Sequence, residues 1–330
     1  MHCSMNDFEV DTSCVTPYLG SYEDLDIKKP SKKIAGDSMQ NTSTFNRTEG
    51  DLGNIVALEH VNLEIPDQAL ATIFYTMGMG FTRDPYLMTG ISNMWINLGR
   101  NQFHLPTGKP MVLRGNILIV IPSRSALLER LASIQELLKQ TQFKMVEHGD
   151  HVLVTCPWGN RLKCYEPSPE FGPISLGMPC IEMLVDHGSA EPIAHFYREI
   201  MHAKAVTDKD QEGVYARVSV GPSQALIYRE ADSTDKRPYD NHHLQIYIAD
   251  FSGPYNRLKA HNLISREDSV HQYRFTDVVD LKSGKVLHHI EHEIRSLMHP
   301  LYARPLINRN AEQNIRNFVP GQEAYAWTRP

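Results

Sequence analysis

His60-Val61-Asn62-Leu63-Glu64-Ile65-Pro66-Asp67, followed fourteen residues after its histidine by Phe74-Tyr75-Thr76-Met77-Gly78-Met79-Gly80-Phe81, decides the fold, because its plan recurs. Glu182-Met183-Leu184-Val185 reaches Phe196-Tyr197-Arg198-Glu199-Ile200-Met201 across the same interval. Weaker copies start at Asn116 (Asn116-Ile117-Leu118-Ile119-Val120-Ile121-Pro122) and at His243 (His243-Leu244-Gln245-Ile246-Tyr247-Ile248-Ala249-Asp250). An internal repeat fixes which residues are equivalent, and so it is read before any single motif.

Each copy opens with a run that is apolar on alternate residues, as a half-buried strand requires. A helix follows. In the first copy Leu70, Ile73, Phe74 and Met77 recur at intervals of three and four and share one face. In the second, Leu127, Leu128, Leu131, Ile134, Leu137 and Leu138 do the same within residues 125–140. Three short strands close the unit, near 81–83, 94–98 and 102–105 in the first copy and 144–147, 152–155 and 161–165 in the second. Gly99-Arg100-Asn101 and Pro157-Trp158-Gly159-Asn160 supply turns. A single curled four-stranded sheet leaves one apolar face uncovered, so units must pair. The expected class is α+β: four βαβββ modules forming two tandem barrel-like domains.

These segments resemble the vicinal-oxygen-chelate superfamily of glyoxalases, bleomycin and fosfomycin resistance proteins, and extradiol dioxygenases. The opening at His60 looks like that family's His-Val-x-Leu-x-Val-x-Asp start. Pro157-Trp158-Gly159-Asn160-Arg161-Leu162 looks like its Asp-Pro-x-Gly-Asn-x-Ile turn. The likeness spans about residues 55–295, and four units look more like the dioxygenase arrangement than the two-unit glyoxalase one. Fold alone does not give function.

Length and composition agree with two domains of about 150 residues each. The expected organisation is a disordered arm at 1–53, a first domain at 54–172, a second at 173–298 and a C-terminal extension at 299–330. The arm is polar and lacks the apolar core of a secretory signal. The net charge of −6 offers no basic footprint for nucleic acid, and no apolar run approaches the roughly 18 residues a membrane span needs. The five cysteines, Cys3, Cys14, Cys156, Cys164 and Cys180, form no Cys-x-x-Cys pair. A reducing, cytoplasmic setting is therefore expected, with Cys156 and Cys164 as buried apolar residues.

The resemblance places metal ligands at two positions per module: the first residue of the opening strand, and a last-strand residue four beyond the turn glycine. Pairing consecutive modules, the first two offer His60, His104, Asn116 and Lys163. An ammonium at a ligand position repels a divalent cation, and that half is expected to be degenerate. The last two offer Glu182, Leu226, His243 and His288, the last of these four residues after Gly284. Glu182, His243 and His288 then form the expected metal site, two imidazoles and a carboxylate, the composition that holds Fe(II) with open positions. Fe(II) or Mn(II) is the implied ion. The family's usual order is His, His, Glu, so the carboxylate here sits at a different corner. Neighbours on a strand face opposite ways, so a one-residue slip exchanges His243 for His242 or His288 for His289; Glu291 is the fallback ligand.

His271 and Tyr273, with Arg274 beside them, are candidates for acid or base work near the ion. His187, His195 and His202 read as structural. The tail from Glu291 through Tyr302 and on to Asn310 reads as an ordered extension packed on the barrel, over the pocket mouth. Its arginines read as solvated surface charge, with a clamp on a substrate carboxylate as the alternative. The implied function is a metal-dependent oxygenase or lyase, an oxidoreductase in the first case, acting on a small aromatic or enediol-like molecule. The alternative is a small-molecule binding protein of the same fold without metal. The expected partners are a small-molecule substrate and a second copy in a homodimer, with neither nucleic acid nor membrane.

Overall fold

The computed structural model describes residues 46–85, 92–232 and 237–306. Most of the arm expected at 1–53, and residues 307–330 of the extension, lie outside that range. Module one comprises β1 (Ile55–Asn62), α1 (Gln68–Ala71) continuing as a π-helix over Thr72–Gly78, β2 (Thr82–Arg83), β3 (Asn93–Leu98) and β4 (Asn101–Pro106). Module two comprises β5 (Gly115–Val120), α2 (Arg124–Ile134), β6 (Lys144–Glu147), β7 (Val152–Thr155) and β8 (Arg161–Tyr165). Module three comprises β9 (Gly177–Val185), α3 (Ala190–Met201), β10 (Ala205–Asp210), β11 (Gly213–Gly221) and β12 (Gln224–Glu230). Module four comprises β13 (His243–Ile248), α4 (Ser252–Ala260), β14 (Ile264–Ser269), β15 (Gln272–Val279) and β16 (Val286–Ser296). The four βαβββ modules are thus present, in an α+β chain. Among the described residues no helix is long and apolar enough to cross a membrane.

The strands form two eight-stranded sheets. Sheet one runs β14-β15-β16-β13-β1-β4-β3-β2, and sheet two runs β10-β11-β12-β9-β5-β8-β7-β6. Both are barrel-like but open, ending at β14 and β2 in one and at β10 and β6 in the other. At each centre two opening strands lie antiparallel, Asn62 opposite His243 and Asn116 opposite Glu182. Each is flanked by the parallel last strand of its own module.

This order corrects the expected pairing of consecutive modules. Module one shares a sheet with module four, and module two with module three. The division expected between residues 172 and 173 separates β8 from β9, two strands of the same sheet. The physical reason lies at the module heads: any opening strand can pair with any other, and sequence periodicity carries no information about which partner is chosen.

The helices pack between the sheets. Asp67 caps α1 by accepting from the backbone N–H groups of Ala69 (2.8 Å) and Leu70 (2.9 Å). The next turn widens so that the Met79 N–H reaches back five residues to the Phe74 carbonyl at 2.9 Å. That widening rotates Tyr75 into the core beside Phe74 and leaves Met77 50% exposed, although its spacing marks it for the buried face. Gly78 lets this helix meet α2 closely, since a Cβ there would lie 2.3 Å from Ile134 Cδ1. The expected second helix is shorter than its periodicity suggests, ending at Ile134; Leu138 is buried and Leu137 exposed.

Tyr197 of α3 ties the two sheets together. Its hydroxyl meets Tyr228 of sheet two and, at 2.6 Å, His292 Nε2 of sheet one. His292 stacks on Phe275 with ring centroids 4.2 Å apart. Burial pushes the His292 imidazole down to about 3, and burial, helped by His242 and Arg114, does the same to His288. In the unfolded chain both titrate near the ordinary histidine value, so below about pH 6.5 the unfolded state binds protons that the folded state refuses. Stability is therefore full above that pH and declines as pH falls toward 3. At pH 5, calorimetry in buffers of differing ionisation heat should show His292→Leu taking up about one proton fewer on unfolding than the parent. Unchanged uptake would contradict this account.

Candidate metal centre

Because β13 lies beside β1, the face of sheet one that points away from the helices gathers residues from modules one and four. His60 comes from β1, His104 from β4 and His243 from β13. One ring nitrogen from each lies within 4.8 Å of the others. The Nε2 atoms of His60 and His104 are buried without a hydrogen-bond partner, and that of His243 faces only the Glu293 carboxylate, at 3.5 Å. Buried polar atoms are nearly always paired, so these nitrogens converging on one point have the chemistry of a cation site. Imidazole ligates as the neutral base, and the environment ensures that form: burial drives His104 down to about 2, and lowers His60 against the opposing hydrogen bond to Glu59.

The rings are held from behind. Trp95 stacks on His104 at 3.8 Å between centroids and meets His60 edge-on at 4.9 Å. His60 Nδ1 lies 3.2 Å from Glu59 Oε2. His243 sits between two carboxylates of β16, with Glu291 Oε1 3.5 Å from Nδ1 and Glu293 Oε2 3.5 Å from Nε2. Glu293 is gripped by Arg274 and by Arg295, whose Nη2 is 2.6 Å from Oε1. Burial raises its carboxyl, but the hydrogen bond with His243 and the charge of Arg295 outweigh that and hold it well below the usual carboxylate range.

The residues predicted from sequence are distributed differently. His243 is in the cluster. Glu182 belongs to sheet two, where it accepts from Lys163 Nζ at 3.2 Å and lies 3.7 Å from Arg229 Nε. His288 points into the layer between the sheets, edge-on to Tyr228 at 5.6 Å. Its choice rested on counting four residues from Gly284. In the parallel β13–β16 ladder the residue opposite His243 is Glu291, the fallback ligand, and Glu293 lies two further on. His60 and His104, expected in a degenerate half, instead supply two of the three imidazoles.

Neither acid–base candidate reaches the cluster. Tyr273 is buried under α4, its hydroxyl donating to the Phe251 carbonyl at 3.3 Å, while His271 approaches Ser296 Oγ at 3.4 Å. Their neighbour Arg274 faces the site, as does Gln272, whose Oε1 accepts from Arg295. His242 turns aside to Asp240, and His289 pairs with Asp277 at 2.8 Å on the surface. Glu59, Trp95, Glu293 and Arg295 carried no signal in the repeat pattern, since they lie off its template positions.

The tail crosses the same face. Tyr302 packs on Tyr247 at 4.9 Å, and Arg304 forms a buried ion pair with Asp84 at 2.8 Å. Asn97 Nδ2 donates to the Leu306 carbonyl at 3.1 Å. The extension expected over the pocket mouth thus runs from module four to module one. Burial and the nearby Arg295 lower His299 to about 4, so this tail imidazole is neutral at pH 7.

No protein-family model matches the chain, and no curated protein matches it. Among solved structures, a putative dioxygenase from Bacillus subtilis subsp. subtilis str. 168 superposes with a TM-score of 0.50 at 14% identity, covering 79% of this chain and 92% of that one. Glyoxalase I from Zea mays gives 0.49 at 13% identity, covering 72% and 92%. The Bacillus match, with the βαβββ modules, gives the chain the vicinal-oxygen-chelate fold.

Isothermal titration with Mn(II) or Zn(II) discriminates the cluster from the sequence-predicted triad. His60→Ala, His104→Ala and His243→Ala should each weaken binding by about tenfold or more, the scale on which even supporting groups of metal sites act. Glu182→Ala and His288→Ala should leave it unchanged. The reverse pattern would return the site to the predicted triad.

Proposed function

We propose that this chain is a metal-dependent enzyme of the oxygenase or lyase type, with its ion held by His60, His104 and His243 and with Glu293 as the adjacent carboxylate. The observation that carries this reading is the convergence of three imidazoles, one ring nitrogen of each within 4.8 Å of the others, beside the Glu293 carboxylate. Imidazoles with a carboxylate suit Fe(II) or Mn(II), the ions proposed here. Such an ion would act as a Lewis acid toward two neighbouring oxygens of a small aromatic or enediol-like substrate.

The protein's own groups do the rest. The neutral imidazoles of His60 and His104 present lone pairs without first losing protons. Trp95 fixes the His104 ring, and Arg274 and Arg295 keep Glu293 ionised and restrain its rotation. Tyr247 and Tyr302 supply aromatic walls against which a planar molecule can lie.

Sheet two supports a different role for its own equivalent face. Asn116, Lys163 and Glu182 share that face, while Leu226 packs into the core between the sheets, and the Lys163 ammonium on Glu182 opposes a cation. Ligand binding without metal is the reading that face favours.

Elemental analysis of protein purified without an affinity tag and under exclusion of oxygen tests the proposal. About one equivalent of iron or manganese is expected, lost in His243→Ala, with oxygen consumption on adding catechols marking the oxygenase branch. A chelator should lower thermal stability by the binding contribution, about 4 kcal/mol at a metal concentration 1,000-fold above Kd. Absence of metal in the parent protein would overturn the reading in favour of a binding protein.

A further inference from the structure

Adjacent residues of a regular strand face opposite sides of the sheet, yet Glu59 and His60 are bonded to each other on the same side. The cause is a bulge. In the β1–β13 ladder Leu58 lies opposite Ile246 and His60 opposite Gln245, so two steps on one strand are matched by one on the other. The extra residue turns the Glu59 carboxylate toward the histidine cluster, where its side chain is 12% exposed.

Three groups converge on that carboxylate. His60 Nδ1 lies 3.2 Å from Oε2, Arg295 Nη1 donates to Oε2 at 3.2 Å, and the Tyr247 hydroxyl donates to Oε1 at 3.2 Å. An ionised carboxylate only accepts, so in this contact the proton of neutral His60 sits on Nδ1. The Nε2 lone pair is then left free, and Nε2 is the buried atom without a partner. Arg295 also holds Glu293, so a single guanidinium ties the carboxylate behind His60 to the carboxylate beside His243.

We propose that Glu59 is a positioning residue that selects the Nδ1–H tautomer of His60 and so keeps Nε2 open toward His104 and His243. Left to itself, a neutral histidine side chain favours the opposite tautomer, which would aim a proton at the cluster. The consequence for metal affinity rests on the metal-centre reading, but the tautomer belongs to the metal-free protein and is measured there.

The test is ¹⁵N-resolved histidine NMR of the metal-free protein near pH 7.5, compared with Mn(II) affinity in the same samples. In the parent, His60 should carry its proton on Nδ1. Glu59→Ala should shift it to Nε2 and weaken Mn(II) binding about 10- to 100-fold. Glu59→Gln keeps an acceptor oxygen and should retain the Nδ1–H form and much of the affinity. A parent His60 protonated on Nε2, or Glu59→Ala with tautomer and affinity both unchanged, would overturn the proposal. If the tautomer follows the prediction while no sample binds metal, the positioning role stands and the metal-centre reading is what fails.

Discussion

The antiparallel contact between β1 and β13 is the constraint on which the site depends. It joins the first module to the last across most of the described chain, placing Asn62 opposite His243 and Gln245 opposite His60. Without it, His60 and His104 are two imidazoles on one curled sheet and His243 is a third on another. With it, three nitrogens meet within 4.8 Å. The contact is also the least local in the fold, so loop-closure entropy must be overcome before it can form. Its counterpart, β5 on β9, joins neighbouring modules and closes a far shorter loop.

The two sheets differ in the side chains they gather on equivalent faces. In sheet one, burial favours the neutral form of His60 and His104, while Glu59, Glu291 and Glu293 are paired with Arg274 and Arg295 in the surrounding ring. In sheet two, Lys163 and Arg229 close onto Glu182 at the equivalent place. Carboxylates on both sheets are thus paired with cationic side chains; what sheet one adds is the cluster of three imidazoles. A buried charge with a partner is tolerated where an unpaired one is not. Glu182, expected beside His243 and His288, lies on the other sheet in an ion pair with Lys163.

Much of the fold was legible in the chain. Alternation in His60–Ile65 and Glu182–Val185, the spacing to Phe74-Tyr75 and Phe196-Tyr197, and the turn at Gly159 marked four βαβββ units. Three things were not legible, each for a physical reason. Which modules pair is a property of exposed strand edges, and nothing in the local pattern distinguishes β13 from β5 as the partner of β1. Which residue of β16 lies beside His243 depends on the register of the two strands; counting from Gly284 ignores where the strand starts to pair, and it points to His288, whereas Glu291 lies opposite His243. The bulge at Glu59 breaks the period of two on which strand reading relies, so a carboxylate that looks outward in sequence faces inward in the structure. His243 was found because it opens its strand, a position that the repeat fixes whatever its partner.

The most direct test of the central claim is anomalous diffraction at the metal edge from crystals grown with Mn(II). A single peak bonded to His60, His104 and His243, contributed by the first and fourth modules, is the predicted result. A peak beside Glu182 on the other sheet, or none on the histidine cluster at saturating Mn(II), would contradict it.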